Sequence, residues 1–468
     1  MKLFQHIKEN NHTSCIITDS NAFFSYSDIF QLVRSFSGLL DKKYLIFNFS
    51  SNSIGSVVGY ISFLEQGSVS LLLDSKLSLT YIGPLLETYK PNFIWIPSDR
   101  VLEFPDFTVV FQCLDYVLLE THLDSDDKLN DDLALLLTTS GSTGSPKLVR
   151  LTKKNIQSNT ESIVNYLSIK KGDRAITVLP MNYSYGLSII NTHLYSEATI
   201  LLSSKSIIEK EFWSFFKNHQ GTSFSGVPYT YEVLKKLKFF DMELPSLKIL
   251  TQAGGKLRTD LVEEYGKYCL RSGRNFVVMY GQTEATARMS YLPSNMCIEK
   301  LGSIGVAIPN GKFELRNDQN QIIDAANENA ELVYIGDNVS MGYAESRIDL
   351  SLGDINNKVL YTGDIAYCDS DGFFYIAGRK KRFIKIFGNR INLDEVEQIV
   401  KTDFTECACV GQDDKLMIYV VNNSKYSIPD FKKKISVKLS LHFSAIEVRE
   451  IDQIPKNTSG KTIYNELS

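Results

Sequence analysis

The stretch "TTSGSTGSPKLVR", Thr138 to Arg150, follows the apolar run "LALLL" and decides how the rest of the chain is read. An apolar run ending in hydroxyls and glycines has the form of a buried strand that opens into a loop. Backbone N–H groups made accessible by Gly141 and Gly144, with hydroxyls from Thr139, Ser140, Ser142 and Thr143, can wrap a polyphosphate, and Lys147 adds a positive charge. Two other phosphate-binding patterns are absent. "GSTGSPK" lacks Walker spacing, "SGKT" at Ser459–Thr462 has Pro455 where the first glycine belongs, and no GxGxxG opens a helix. Taken alone, the stretch also fits a flexible surface linker.

The 468 residues exceed the roughly 250–300 at which a single core stops growing, so two or more domains are expected. With 43% hydrophobic and 22% charged residues and no low-complexity tract, the chain has the composition of a soluble globular protein. A formal net charge of -4 argues against a nucleic-acid binder, so no nucleic-acid partner is expected. The N-terminal segment lacks the apolar run of a secretory signal, and nowhere do 18 apolar residues run together. A cytoplasmic location without a membrane span is therefore expected. The seven cysteines are scattered without a CxxC pair, which fits reduced thiols better than a disulfide framework or a zinc site.

From Cys15 to about Ile200, strand-like runs such as "CIITD", "YLIFNF" and "FIWIP" alternate with helical patterns such as "YSDIFQLVRSFSGLL". Alternation of this kind predicts an α/β fold with helix-covered, mainly parallel sheets. Between about Gly302 and Gly378, short strands and turn signals predict a small antiparallel sheet or barrel. We expect a large N-terminal domain over 1–380, with the small β subdomain at about 302–380, and a small α+β C-terminal domain over 381–468.

Four further segments accompany the glycine loop in order: "MYGQTEAT" from Met279, "LYTGDIAY" from Leu360, "GRKKRFIKIFGNRINLDEVE" from Gly378 and "PKNTSGKTIY" from Pro455. Weaker echoes include "LPMNYSYGLS", "QAGGKL" and "ELVYIGDNVSMGY". Alone, "YGQTEA" is a strand end with a helix cap, Asp364 of "YTGD" a turn aspartate, and the basic run from Arg379 a charged patch. Together and in this order they resemble the adenylate-forming superfamily of acyl-CoA synthetases, nonribosomal-peptide adenylation domains and firefly luciferases. The resemblance covers nearly the whole chain.

The resemblance implies activation of a carboxylic acid by ATP and Mg²⁺. The loop Thr139, Ser140, Gly141, Ser142, Thr143, Gly144 and Lys147 would hold the departing β- and γ-phosphates. Glu284, with Thr139, would bind the metal, and Thr283 would contact the α-phosphate. Tyr280, in a loop with Gly281 and Gln282, would stack on adenine. Gly254 and Gly255 would let adenine and acyl group approach the backbone, and Asp364 with Arg379 would take the ribose. Arg390 would contact phosphate, and Lys461 would bridge the carboxylate and the α-phosphate. Lys381 would be the hinge on which the C-terminal domain rotates, and Lys385 and Gly388 would line the path of the thiol. The acyl pocket would draw on Asn182, Tyr183, Tyr185 and Gly226.

Many acyl-CoA relatives carry histidine where this chain has Tyr183, and amino-acid-activating relatives carry an aspartate nearby. Neither is present, which argues against an ordinary α-amino acid. No pantetheine-bearing module follows Lys461, so the acceptor thiol is expected from free CoA or from a separate phosphopantetheinyl carrier protein. Loading of a carrier protein or an amine stays open beside acid–CoA ligation. A retired ATP-binding protein also stays open, although Lys461, Glu284, Thr283 and Asp364 are all intact.

Overall fold

Runs such as "LIFNFS" at Leu45–Ser50 and "LALLLT" at Leu133–Thr138 are almost wholly buried, because helices and a second sheet leave these strands no solvent face. The computed structural model describes residues 3–123, 128–138, 147–380, 382–386, 389–412, 414–421, 427–439, 441–456 and 462–467, without the side chains at 383, 385, 389, 390, 392, 395 and 465.

The chain forms two compact units: Met1–Lys312 with Ile335–Leu360, and Phe313–Tyr334 with Tyr361–Ser468. The first is built on an eight-stranded and a nine-stranded sheet. In the nine-stranded sheet the strands Asn275–Tyr280, Ile249–Gln252, Ser223–Gly226, Arg174–Ile176, Thr199–Leu202 and Ser14–Thr18 run parallel as neighbours. Antiparallel strands close both edges.

Helices Ile54–Glu65 and Ser184–Tyr195 are buried nearly all round, as expected of helices with little amphipathic contrast. They share one apolar cluster with both sheets: Val57, Ile61, Leu187 and Ile190 meet Ile46 and Trp95 of one sheet and Ile16 and Ile200 of the other. The hydroxyl of Tyr60 donates to Asn191 Oδ1 at 3.1 Å, which ties the two helices at a buried polar point.

The second unit holds most of a four-stranded sheet of Gly311–Arg316, Ala330–Gly336, Val359–Cys368 and Phe374–Arg379, the last two of which pair antiparallel. It continues with the hairpin Phe383–Ile386 and Asn389–Asn392 and with a three-stranded sheet carrying helices Leu393–Val400 and Ile428–Leu439. This architecture is the expected α/β class. Among the described residues no helix is long and apolar enough to cross a membrane. All seven cysteines are unpaired, and six are buried.

Candidate active site

Three adjacent parallel strands of the first unit end beside one another, with Gly226 level with Gln252 and Gln252 level with Val278. Their C-terminal ends release Gly226, the Gly254–Gly255 turn and the loop from Tyr280 to Glu284, which is where ligands bind in open α/β sheets. Helix Ser184–Tyr195 begins at the same end and carries Tyr183 at its cap.

Contacts join these loops. Ser184 Oγ and Thr283 Oγ1 are 3.4 Å apart. A Cβ added to Gly254, whose φ is +85°, would stand 2.7 Å from the Tyr183 hydroxyl and 3.0 Å from Val227, so only glycine fits. Gln252 donates from Nε2 to the Gly255 carbonyl at 2.8 Å and fixes the turn from behind. Tyr185 is buried and donates to the Thr251 carbonyl at 2.9 Å, while burial raises the Tyr183 phenol to about 12. Among the residues predicted from sequence, the fold thus brings together Tyr183, Tyr185, Gly226, Gly254, Gly255 and Thr283. Asn182 precedes the same helix.

The loop after Tyr280 is tightly held. Thr286 adopts φ +70°, a conformation that costs a β-branched residue on the order of 1–3 kcal/mol, and its hydroxyl donates to the Asn338 carbonyl at 2.7 Å. Asn338 Nδ2 donates to the carbonyls of Ala285 (2.9 Å) and Arg288 (3.1 Å), and Asn159 Nδ2 donates to the latter at 2.8 Å. An added Cβ at Gly281 would stand 1.9 Å from the Ala287 carbonyl oxygen, so the backbone turns back directly against it. Gln282 Nε2 reaches the Tyr280 hydroxyl at 3.3 Å.

Two residues that the sequence reading missed complete this end of the unit. The Tyr343 hydroxyl donates to Glu284 Oε1 at 2.7 Å, and Lys147 Nζ lies 3.9 Å from the centre of the Tyr343 ring and 3.5 Å from Glu345. Burial, reinforced by the Glu284 carboxylate, raises the Tyr343 phenol above its usual pKa, so the hydroxyl stays a donor. Tyr343 thereby links the lysine of the glycine loop to the carboxylate of "QTE". The second is Arg288, 2% exposed between the loop and strand Ser290–Leu292. A lone basic residue entering an apolar strand, "ARMSYL", was the available signal.

In the second unit, Asp364 and Arg379 stand opposite each other on neighbouring antiparallel strands, with Arg379 Nε 3.1 Å from Asp364 Oδ1. Asp364 is 3% exposed, whereas the Arg379 side chain is largely open. Lys385 and Arg390 pair through their backbones across the next hairpin. Arg382 bonds Asp394 (2.5 Å) and Glu397 (2.6 Å) and lies 3.9 Å over the Tyr464 ring, whose hydroxyl reaches Glu397 at 3.2 Å. The predicted Thr139, Ser140, Gly141, Ser142, Thr143, Gly144, Lys381, Gly388 and Lys461 lie outside the described residues, as do the side chains of Lys385 and Arg390.

The chain is 28% identical over 345 residues to the 2-succinylbenzoate–CoA ligase of Bacillus licheniformis, covering 72% of this chain and 70% of that protein. It is 26% identical over 414 residues to the ligase of the same name from Bacillus subtilis, covering 86% and 82%. It is 27% identical over 348 residues to a feruloyl-CoA synthase of Amycolatopsis sp., covering 72% and 70%. Its fold is similar to that of O-succinylbenzoate coenzyme A synthetase from Bacillus subtilis in complex with AMP, with a TM-score of 0.80 at 22% identity over 100% of this chain and 98% of that one. The family described as AMP-binding enzyme matches residues 3–344, nearly three quarters of the sequence, and the chain belongs to that family.

Proposed function

We infer that this chain is an ATP-dependent, AMP-forming acid–CoA ligase. The observation that carries the reading is the grouping of Thr283, Glu284, Tyr183, Gly226 and Gly254 at the ends of three parallel strands, in a chain of the AMP-binding family whose named relatives are CoA ligases.

A carboxylate is a poor electrophile because its leaving group is an oxide. In the first step an oxygen of the carboxylate attacks the α-phosphorus of ATP, the bond to the bridging oxygen of the β-phosphate breaks, and pyrophosphate leaves. In the second, a thiol forms a C–S bond to the acyl carbon and releases its proton, and AMP departs with the former carboxylate oxygen. Bringing two anions together calls for fixed donors and cations more than covalent help.

The residues present supply these. Residues 139–147 cradle the outer phosphates, with Lys147 contributing charge. Thr283 donates to the α-phosphate, Tyr280 offers its ring to adenine, and Gly254 and Gly255 leave room beside it. Asp364, aligned by Arg379, accepts from the ribose hydroxyls, and Arg390 contacts phosphate. Lys461 bridges the carboxylate and the α-phosphate. Lys381 is the hinge between the half-reactions, with domain 381–468 turning on it so that Lys385 and Gly388 line the thiol's path. Glu284, oriented by Tyr343, would hold Mg²⁺ together with Thr139, a single carboxylate being suited to that ion, which would neutralise phosphate charge when bound. The free, mostly buried cysteines support a cytoplasmic location.

The test is pyrophosphate release across a panel of carboxylic acids, with CoA and separately with a phosphopantetheinylated carrier protein. Release with an acid and thioester formation on CoA are expected; thioester formed only on the carrier would replace the CoA reading. Lys461→Ala should abolish adenylation and leave thioester transfer from supplied acyl-adenylate nearly intact. Equal loss in both half-reactions would reject the assigned role.

A further inference from the structure

Arg288 is a fully buried cation whose partners are all neutral. Nη1 reaches the Met279 thioether at 2.7 Å and the Tyr166 hydroxyl at 3.3 Å, Nη2 donates to Ser188 Oγ at 2.9 Å, and the guanidinium carbon lies 4.3 Å from the centre of the Tyr185 ring. Nε has no partner. Among the described residues no carboxylate pairs with it. Burying a guanidinium without an anion is costly, and such groups do not shed their proton in proteins.

Arg288 also lies against the helix that begins at the candidate acyl site, through Tyr185 and Ser188. Tyr185 and Ser188 belong to the helix whose Ser184 touches Thr283 and whose cap residue Tyr183 touches Gly254. The Nε–Nη2 edge is the side of a guanidinium that takes a carboxylate through two parallel hydrogen bonds. Here that edge holds an unpartnered Nε and an Nη2 bonded only to a serine hydroxyl.

We propose that Arg288 receives a second carboxylate on the acid, so that this ligase activates dicarboxylic acids, one carboxylate being adenylated near Thr283 and the other held by the buried guanidinium. The proposal rests on the acid–CoA ligase reading. It explains why a cation with no carboxylate partner among the described residues stands in the core: the substrate brings the missing charge.

The test compares short and aryl diacids with their monomethyl esters, which keep the size and lose one charge. Pyrophosphate release gives kcat/KM, and calorimetry with a non-hydrolysable ATP analogue gives acid binding without turnover. Wild type should favour diacid over monoester by about 100-fold, mainly in KM, because truncating one side of a buried charge pair typically has that effect or more. Arg288→Met should reduce the preference below about 10-fold while melting at or above the wild-type temperature; Arg288→Lys should retain an intermediate preference. Wild type using monoesters or monocarboxylic acids as well as diacids would overturn the proposal and leave the ligase reading standing. Diacid binding that vanishes in Arg288→Met, with no acid releasing pyrophosphate, would support the anion site and reject the ligase reading. A lower melting temperature in Arg288→Met with the diacid preference unchanged would make the arginine structural and overturn the proposal.

Discussion

Two buried arginines in the first unit differ in what surrounds them. Arg150, on strand Leu148–Thr152, is 0% exposed and donates to the carbonyls of Tyr343 (3.0 Å), Leu352 (2.5 Å), Met341 (2.9 Å) and Gly353 (3.2 Å). It is wrapped in backbone oxygens, and the Asp349 and Asp354 carboxylates act on it electrostatically against the burial that lowers its pKa. Arg288 is equally buried but has two hydroxyls, a thioether and a ring. Arg150 holds the segment 341–353 to the sheet and is complete without a ligand. Arg288 closes no such network, so burial alone does not mark a structural cation; the inventory of its acceptors does.

The largest expected effect breaks the comparison if it fails. Arg150→Met removes four charge-assisted hydrogen bonds from a wholly buried side chain, so a loss of about 4 kcal/mol should appear as a lower urea midpoint. If Arg150→Met and Arg288→Met were equally destabilising, the two would not differ in kind. A smaller effect sharpens the contrast through a buried base that can discharge. His193, on the same helix as Ser188, is 4% exposed, lies 2.9 Å from the Ile189 carbonyl through Nδ1, and is lowered by burial to about 4. The unfolded chain takes up this proton below about 6.5 and the folded chain only below about 4, so stability falls as pH drops through that window. The loss approaches about 3 kcal/mol by pH 4, and His193→Gln should flatten that part of the pH profile. The smallest effect tests the rim. Tyr343→Phe removes one hydrogen bond to a charged group, worth about 1.5 kcal/mol. The Mg²⁺ concentration for half-maximal pyrophosphate release should rise about 10-fold with little change in melting temperature.

Much of this was legible in the sequence, for reasons that separate local from distant information. Alternating apolar runs and helical patterns revealed the α/β class because strand and helix periodicity are local properties. Glycine-rich turns at strand ends, such as "QAGGKL", were legible because their backbone requirement is local too. Asp364 and Arg379 were paired by resemblance, and a short hairpin places them opposite each other. Tyr343 and Arg288 were missed because each takes its meaning from residues far along the chain: Tyr343 from Glu284 and Lys147, Arg288 from Tyr166, Tyr185 and Ser188. No run of neighbouring letters distinguishes a tyrosine that spans two motifs from one that fills a core.

The Thr286 turn has a consequence for which acids are accepted. Thr283 and Arg288 are five positions apart, and the backbone between them is clamped by Asn159 and Asn338 and folded against Gly281. The two ends of a diacid would therefore meet jaws whose separation is built into the protein. On the diacid reading proposed above, the turn would work as a calliper that gauges the span between two charges, and a diacid one methylene too long or too short would reach only one of them.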